Sequence, residues 1–158
     1  MVIGLRENTS VKSSNLRYID LGHLFERILR AWEAGQIAHS TLPAGPIGCL
    51  PLERMVTLTG ALNGLLVVRS TREFAVHLRN QRENTPLGRY PEEEVFEELI
   101  SLFCLYLFHD FWRPHLFKIG PIHPFRSIPR DWPQEDPTAA CGLTVDDFRV
   151  EIRLWLKD

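Results

Sequence analysis

The 158-residue chain has few cysteines and little net charge. Its three cysteines, Cys49, Cys104 and Cys141, are odd in number and show no CxxC spacing, which argues against a disulfide framework or a zinc site. A formal net charge of −2 provides no electrostatic attraction for nucleic acid, which requires a clustered basic face. The sequence therefore predicts no nucleic-acid partner and no metal bound by this chain.

Features of membrane and exported proteins are also lacking. The longest apolar stretch, residues 99–108, is too short to span a bilayer. Residues 1–18 contain no apolar core of a signal peptide. Phosphate-binding GxGxxG loops and the GxSxG context of a serine nucleophile are missing as well. We therefore expect a cytoplasmic protein that is not attached to a membrane.

Hydrophobic periodicity predicts three helices. In residues 21–34 apolar side chains recur at intervals of three and four, with Asp20 as N-cap and Gly35 as the stop. Residues 71–82 form a predicted second helix, capped by the threonine that begins it. A third and longer helix is predicted for residues 92–112.

Strands are predicted mainly as two hairpins. Residues 55–59 and 65–69 flank an Asn-Gly turn, which is a strong hairpin signal. Residues 140–145 and 148–156 flank the pair Asp146-Asp147. The last of these strands alternates apolar and polar side chains strictly, so it predicts a sheet with one buried face.

Proline-rich segments connect these elements. Residues 40–51 and 121–137 are predicted to be connectors or extended segments, and residues 116–119 a short strand between them. Hairpins separated from helices predict an α+β fold, in which two or three helices pack on one face of an antiparallel or mixed sheet. We expect a polar N-terminal arm at residues 1–18 and a single domain at residues 19–158.

The long third helix is the most informative element. Its first turns are acidic, whereas its second half is apolar almost all round, with Ser101 as the one hydroxyl before Tyr106. Glu94, Glu98 and Ser101 are separated by four and three positions, so they share one face. A carboxylate and a short polar side chain on an otherwise apolar helix form a candidate site.

The element order and this spacing resemble the CheX and CheC family of chemotaxis phosphatases. The family's mark is a long helix with an acidic residue, two intervening residues and an asparagine, followed later in the chain by a proline. Here Glu98 and Ser101 occupy the motif, and Pro124 follows Ser101 by 23 positions. Glu94 stands where the family often has Asp or Ser. Leu105 stands where a small residue, usually Gly, is expected.

This resemblance implies an activity. Family members dephosphorylate the aspartyl-phosphate of a response-regulator receiver domain. Glu98 then corresponds to the acid that binds the receiver's lysine, and Ser101 to the asparagine that orients the attacking water. Glu94 and Pro124 are the implied partner-binding residues. The Mg²⁺ comes with the receiver, this chain holds no cofactor, and the CheX branch implies a homodimer.

The serine sets the expected level of activity. Its hydroxyl is shorter than an asparagine amide and carries a single oxygen. We therefore expect weak phosphatase activity or none, with receiver binding retained.

Other interpretations stay open at this point. The chain could be a non-catalytic regulatory domain that kept the fold and lost the chemistry, which the missing asparagine favours. Glu94, Glu97 and Glu98 are equally explained as solvent-facing carboxylates favoured by the dipole at a helix N-terminus. A small-molecule enzyme using the histidines of residues 109–123 is a third, less favoured alternative.

Overall fold

Three α-helices and a six-stranded antiparallel sheet make up the part of the chain that the computed structural model describes. The described residues are 20–40, 52–60, 63–111, 117–125 and 136–157, without the side chains of residues 108–111 and 117. The predicted α+β class is confirmed. The predicted polar arm and almost all of the predicted connector at residues 40–51 lie outside the described residues.

The two predicted hairpins lie side by side in the middle of the sheet. The helices are α1 (Leu21–Ala31), α2 (Arg72–Gln81) and α3 (Glu92–Phe111), with a short 3-10 helix (Pro86–Arg89) before α3. The strands are β1 (Ile37–Ser40), β2 (Leu52–Gly60), β3 (Asn63–Ser70), β4 (Phe117–Pro124), β5 (Ala139–Val145) and β6 (Phe148–Lys157). The sheet order is β1-β5-β6-β3-β2-β4, so both hairpins, β2–β3 and β5–β6, are confirmed.

Side-chain caps fix where α1 and α2 begin. Asp20 Oδ1 accepts a hydrogen bond from the backbone N–H of His23 (2.9 Å), and Thr71 Oγ1 makes the equivalent contact in α2 (3.2 Å). Both caps are as predicted. Helix α1 ends at Ala31, earlier than predicted, and Glu33 beyond it takes the left-handed conformation (φ 53°) that commonly terminates helices.

Both edge strands differ from the prediction. Strand β1 was not predicted, because four residues are too few to show an alternating pattern. Strand β4 continues to Pro124 although Pro121 and Pro124 lack an N–H donor. An edge strand tolerates proline, since one side of it needs no sheet hydrogen bonds. Gly120 lies so close to β2 that a Cβ would meet the carbonyl oxygen of Thr57 at 2.8 Å.

The main core lies between the helices and one face of the sheet, with α3 at its centre. The Phe103 ring meets Phe25 of α1 edge-on, with 5.2 Å between centroids. Phe96 meets Phe74 of α2 in the same manner at 6.5 Å. Such edge-to-face pairs add directional contacts to apolar burial. None of the described helices is long and apolar enough to cross a membrane.

The opposite face of the sheet is buried too, so the prediction of a single buried face for β6 is wrong. Trp155 packs against apolar side chains of β3. The charged residues of this face pair with one another: Arg153 Nη2 lies 3.4 Å from Glu151 Oε1, and Arg69 Nη2 donates to Glu53 Oε1 at 2.8 Å. The alternation in β6 therefore separates two buried faces, one of which contains paired charges.

Burial also makes Cys104 chemically inert. This residue lies in the core, as predicted, and burial raises the pKa of its thiol to about 12. Because the thiolate is the reactive form, we expect iodoacetamide at mildly alkaline pH to leave Cys104 unmodified in the folded protein and to label it after unfolding. Peptide mass spectrometry measures this. Labelling of Cys104 in the folded protein at the rate of a free cysteine would contradict the packing of α3.

Candidate functional site

The predicted site residues lie along one stripe of α3. Glu94 and Glu98 are exposed, and Ser101 is half-buried. Leu105, one turn beyond Ser101, is 54% exposed. Spacings of four, three and four residues place these four side chains one above another on the helix surface. The structure therefore brings Glu94, Glu98 and Ser101 together on one face, and Leu105 extends that face.

Some acidic residues of α3 hold the helix in place. Arg72 of α2 contacts Glu92 Oε1 at 3.3 Å and Glu93 Oε1 at 2.6 Å. The pKa of Glu92 is lowered mainly by a hydrogen bond to its own backbone N–H and, to a smaller extent, by the contact with Arg72. The Glu97 carboxylate lies 3.5 Å from Nε of Arg54, a largely buried residue of β2. These three carboxylates therefore attach α3 to α2 and to the sheet.

The carboxylates of Glu94 and Glu98 do not attach α3 to any other described element. Neither carboxylate makes an ion pair or hydrogen bond with any residue in the described ranges. Their charges face solvent and are available to a cationic group on another molecule. The interpretation of the acidic residues as solvent-facing carboxylates fits these two, whereas Glu97 contacts Arg54.

Two open grooves meet at Ser101. The first has a volume of about 370 Å³ and is lined by Leu87, Tyr90, Glu94, Glu97, Glu98 and Ser101. The second has a volume of about 500 Å³ and lies between α3 and β4, where its walls include Ser101, Leu105, Ile119, Gly120, Pro121 and Ile122. No residue in the described part of the chain hydrogen-bonds the Ser101 hydroxyl, so that group is available to water or to a ligand.

Large apolar side chains are exposed on both sides of Ser101. Within the described ranges, the exposed large hydrophobic residues are Tyr90 (48%), Leu105 (54%) and Ile119 (37%). Tyr90 lines the first groove, and Leu105 and Ile119 line the second. Single exposed apolar residues are common, but a concentration around one polar stripe is typical of a contact surface.

Pro124 is not part of this stripe. It ends β4, pairs with Arg54 of β2 and is exposed. It lines neither groove. Arg54 links it indirectly to the acidic half of α3, because the same arginine contacts Glu93 and Glu97. The partner-binding role of Pro124 stays a prediction.

Sequence reasoning gave no site role to three residues that shape the site. Arg54 occupies an inward position of β2, and the alternation of apolar residues around it was a usable signal. Leu105 was noted only as a departure from the family pattern, although it continues the helical spacing from Ser101. Ile119 could not, because its place beside α3 depends on the pairing of β4 with β2.

The histidine-containing segment does not form a metal site in the part of the chain described. No three His, Cys, Asp or Glu side chains there are close enough to hold a metal ion. The side chains of His109 and Asp110 and the whole of His115 lie outside the described residues. His123 pairs with Met55 in the sheet. The small-molecule-enzyme interpretation therefore gains no support from these residues.

Comparison with solved structures identifies the fold. No protein-family model matches the chain, and a search of curated proteins finds no match. The crystal structure of the chemotaxis protein CheX from Desulfovibrio desulfuricans matches 88% of this chain and 100% of its own, with a TM-score of 0.65 and 12% identity. This chain has the CheX fold. CheX from Vibrio vulnificus gives a TM-score of 0.64 at 8% identity, over 88% and 98% of the two chains.

A CheX-fold structure has also been solved together with another protein. A chain of the CheX–CheY–BeF₃–Mg²⁺ complex from Borrelia burgdorferi matches 89% of this chain and 98% of its own, with a TM-score of 0.53 and 14% identity. The resemblance to CheX and CheC that the sequence suggested is thus confirmed for the fold. In this CheX fold the long helix α3 carries the exposed stripe from Glu94 to Leu105.

Proposed function

We propose that this protein is a CheX-like signalling domain that binds the receiver domain of a response regulator through the exposed stripe of α3. The observation that carries the proposal is that the carboxylates of Glu94 and Glu98 and the neighbouring hydroxyl of Ser101 have no side-chain partner among the described residues. A CheX–CheY complex among the structures with this fold supports a receiver as the partner.

Each residue has a defined role in this proposal. Glu98 binds the lysine of the receiver's phosphorylation site, and Glu94 extends the acidic surface toward the same partner. Ser101 lies where the family's asparagine orients the attacking water. Pro124 belongs to the partner-binding surface on the sheet side. A receiver carries its own Mg²⁺, so catalysis needs positioning from this chain rather than a further metal.

The serine limits the chemistry that this site performs. A hydroxyl on one carbon reaches less far than an amide and offers one oxygen instead of a donor–acceptor pair. Ser101 is also half-buried between the two grooves, which keeps its oxygen near the helix surface. We therefore propose weak dephosphorylation or none. The missing asparagine favours, as the second candidate, a regulatory domain that binds receivers without catalysis.

In this proposal residues 19–158 form one domain, and the protein acts as a homodimer in the cytoplasm. Within the described part of the sheet, β1 pairs with β5 alone and contains no proline, whereas Pro121 and Pro124 protect the opposite edge at β4. An unprotected edge strand readily pairs with another chain, which supports β1 as a dimer edge. Light scattering of the purified protein measures the oligomeric state.

The decay of a phosphorylated receiver, measured with and without this protein, tests the proposed function. Receiver domains encoded near its gene are phosphorylated with acetyl phosphate, and both binding and loss of the phosphoryl group are followed. We expect the wild-type protein to bind and to accelerate decay slightly or not at all. Glu98→Ala should weaken binding about tenfold, because it removes a charged contact at the centre of the interface.

Glu73→Ala provides the matched control, since Glu73 is an exposed carboxylate on α2 outside the stripe. Equal losses of binding in both variants, or no binding of the wild-type protein to any receiver, would overturn the proposal. Faster decay that disappears in Glu98→Ala identifies a working phosphatase. Binding with unchanged decay identifies a non-catalytic regulator.

A further inference from the structure

The groove between α3 and β4 has an apolar wall that the proposed chemistry does not use. Leu105 of α3 and Ile119 of β4 both line it, and both are exposed to solvent. Pro121 and Ile122 continue the wall along β4.

Leu105 contributes little to the folded core. Its neighbours Cys104 and Leu107 are fully buried in the main cluster, whereas Leu105 is more than half exposed. Apolar surface that stays in water is unfavourable, and covering it with another apolar group is favourable. The exposed leucine in the groove therefore gains contacts when a second molecule packs against it.

The charges beside the groove indicate the chemistry of that molecule. Glu97 and Ser101 line the groove, and the same helix carries Glu94 and Glu98, whose carboxylates have no ion-pair partner within the described ranges. Glu98 and Leu105 are seven residues apart, which places them about 10 Å apart along the helix axis. A complementary surface therefore carries a cation and, about 10 Å away, an apolar side chain.

We propose that the groove between Leu105 and Ile119 is a docking pocket for an apolar side chain of the receiver whose lysine contacts Glu98. This inference rests on the proposed function and adds a determinant of partner choice to it. Receivers with an apolar side chain at the matching position are bound, and those with a charged side chain there are rejected.

Binding of the receiver with beryllofluoride and Mg²⁺, measured by calorimetry, tests the docking pocket. Leu105→Asn should weaken binding about tenfold, because it removes an apolar anchor from the interface. Leu105→Met keeps the volume and the apolar character, so it should bind like the wild-type protein. Ile119→Thr retains the β-branched shape suited to a strand and should weaken binding in the same direction. Thermal unfolding of each variant checks that the fold is retained.

The outcomes separate the docking pocket from the proposed function. If the wild-type protein binds no receiver, both fail. If binding is lost in Glu98→Ala but unchanged in Leu105→Asn, the receiver proposal stands and the docking pocket is overturned. If Leu105→Asn instead converts a dimer into a monomer in light scattering, the groove belongs to a second copy of this chain, which also overturns it.

Discussion

Replacing Ser101 by asparagine is expected to turn a slow or inactive protein into an effective receiver phosphatase. The amide supplies a donor and an acceptor further from the helix than the hydroxyl does, so it reaches a water placed in line with the phosphorus. Correct placement of the water is the main contribution that a partner protein makes to this reaction. We expect the decay of receiver aspartyl-phosphate to accelerate by about 10- to 100-fold over the wild-type protein.

The structure has room for this change. Ser101 borders both grooves, and no described residue loses a hydrogen bond when its hydroxyl is removed. Serine and asparagine also have similar helix propensities, so α3 should not be weakened. The added amide should therefore extend into the groove without disturbing the core beneath it.

Ser101→Asp is the matched control for this experiment. Aspartate has nearly the same shape as asparagine, but at neutral pH its charge repels the phosphoryl group and it has no hydrogen-bond donor. Decay should stay slow in this variant. A Ser101→Asn protein that binds the receiver like the wild-type protein and still fails to accelerate decay would remove Ser101 from the water-orienting position.

Features with short-range signals could be predicted from the sequence. The caps at Asp20 and Thr71 involve residues three positions apart, and both hairpins have turn residues between alternating strands. The stripe of α3 follows from helical spacing alone, which is why Glu94, Glu98 and Ser101 are found together. Local chemistry thus predicts the elements and the face of the long helix.

Features that depend on distant residues could not be predicted. Arg54 and Glu97 are far apart in the sequence, so it appears only in the folded structure which acidic residues of α3 are ion-paired with described residues. The same holds for β1, whose four residues are strand because β5 lies beside them. The alternating sequence of β6 predicts a strand with one exposed face. It does not show that Arg153 and Glu151 of that face are buried and pair with each other.

Truncation of two apolar residues of α3, Phe103 and Leu105, is expected to change the free energy of unfolding by very different amounts. Phe103 is fully buried and packs on Phe25, so Phe103→Ala should lower the free energy of unfolding by about 3–5 kcal/mol. Leu105 is 54% exposed, and Leu105→Ala should change the free energy of unfolding by less than about 0.5 kcal/mol. Chemical denaturation with urea measures both.

The difference in stability between these variants shows whether a loss of receiver binding comes from unfolding or from the groove. Domains of this kind are stable by about 5–15 kcal/mol, so Phe103→Ala can reduce binding simply by unfolding part of the population. Leu105→Ala cannot act in that way if its unfolding midpoint is unchanged. Weaker receiver binding in Leu105→Ala would then arise in the groove itself. A destabilisation of Phe103→Ala below about 1 kcal/mol would instead mean that α3 does not pack on α1 through this aromatic pair.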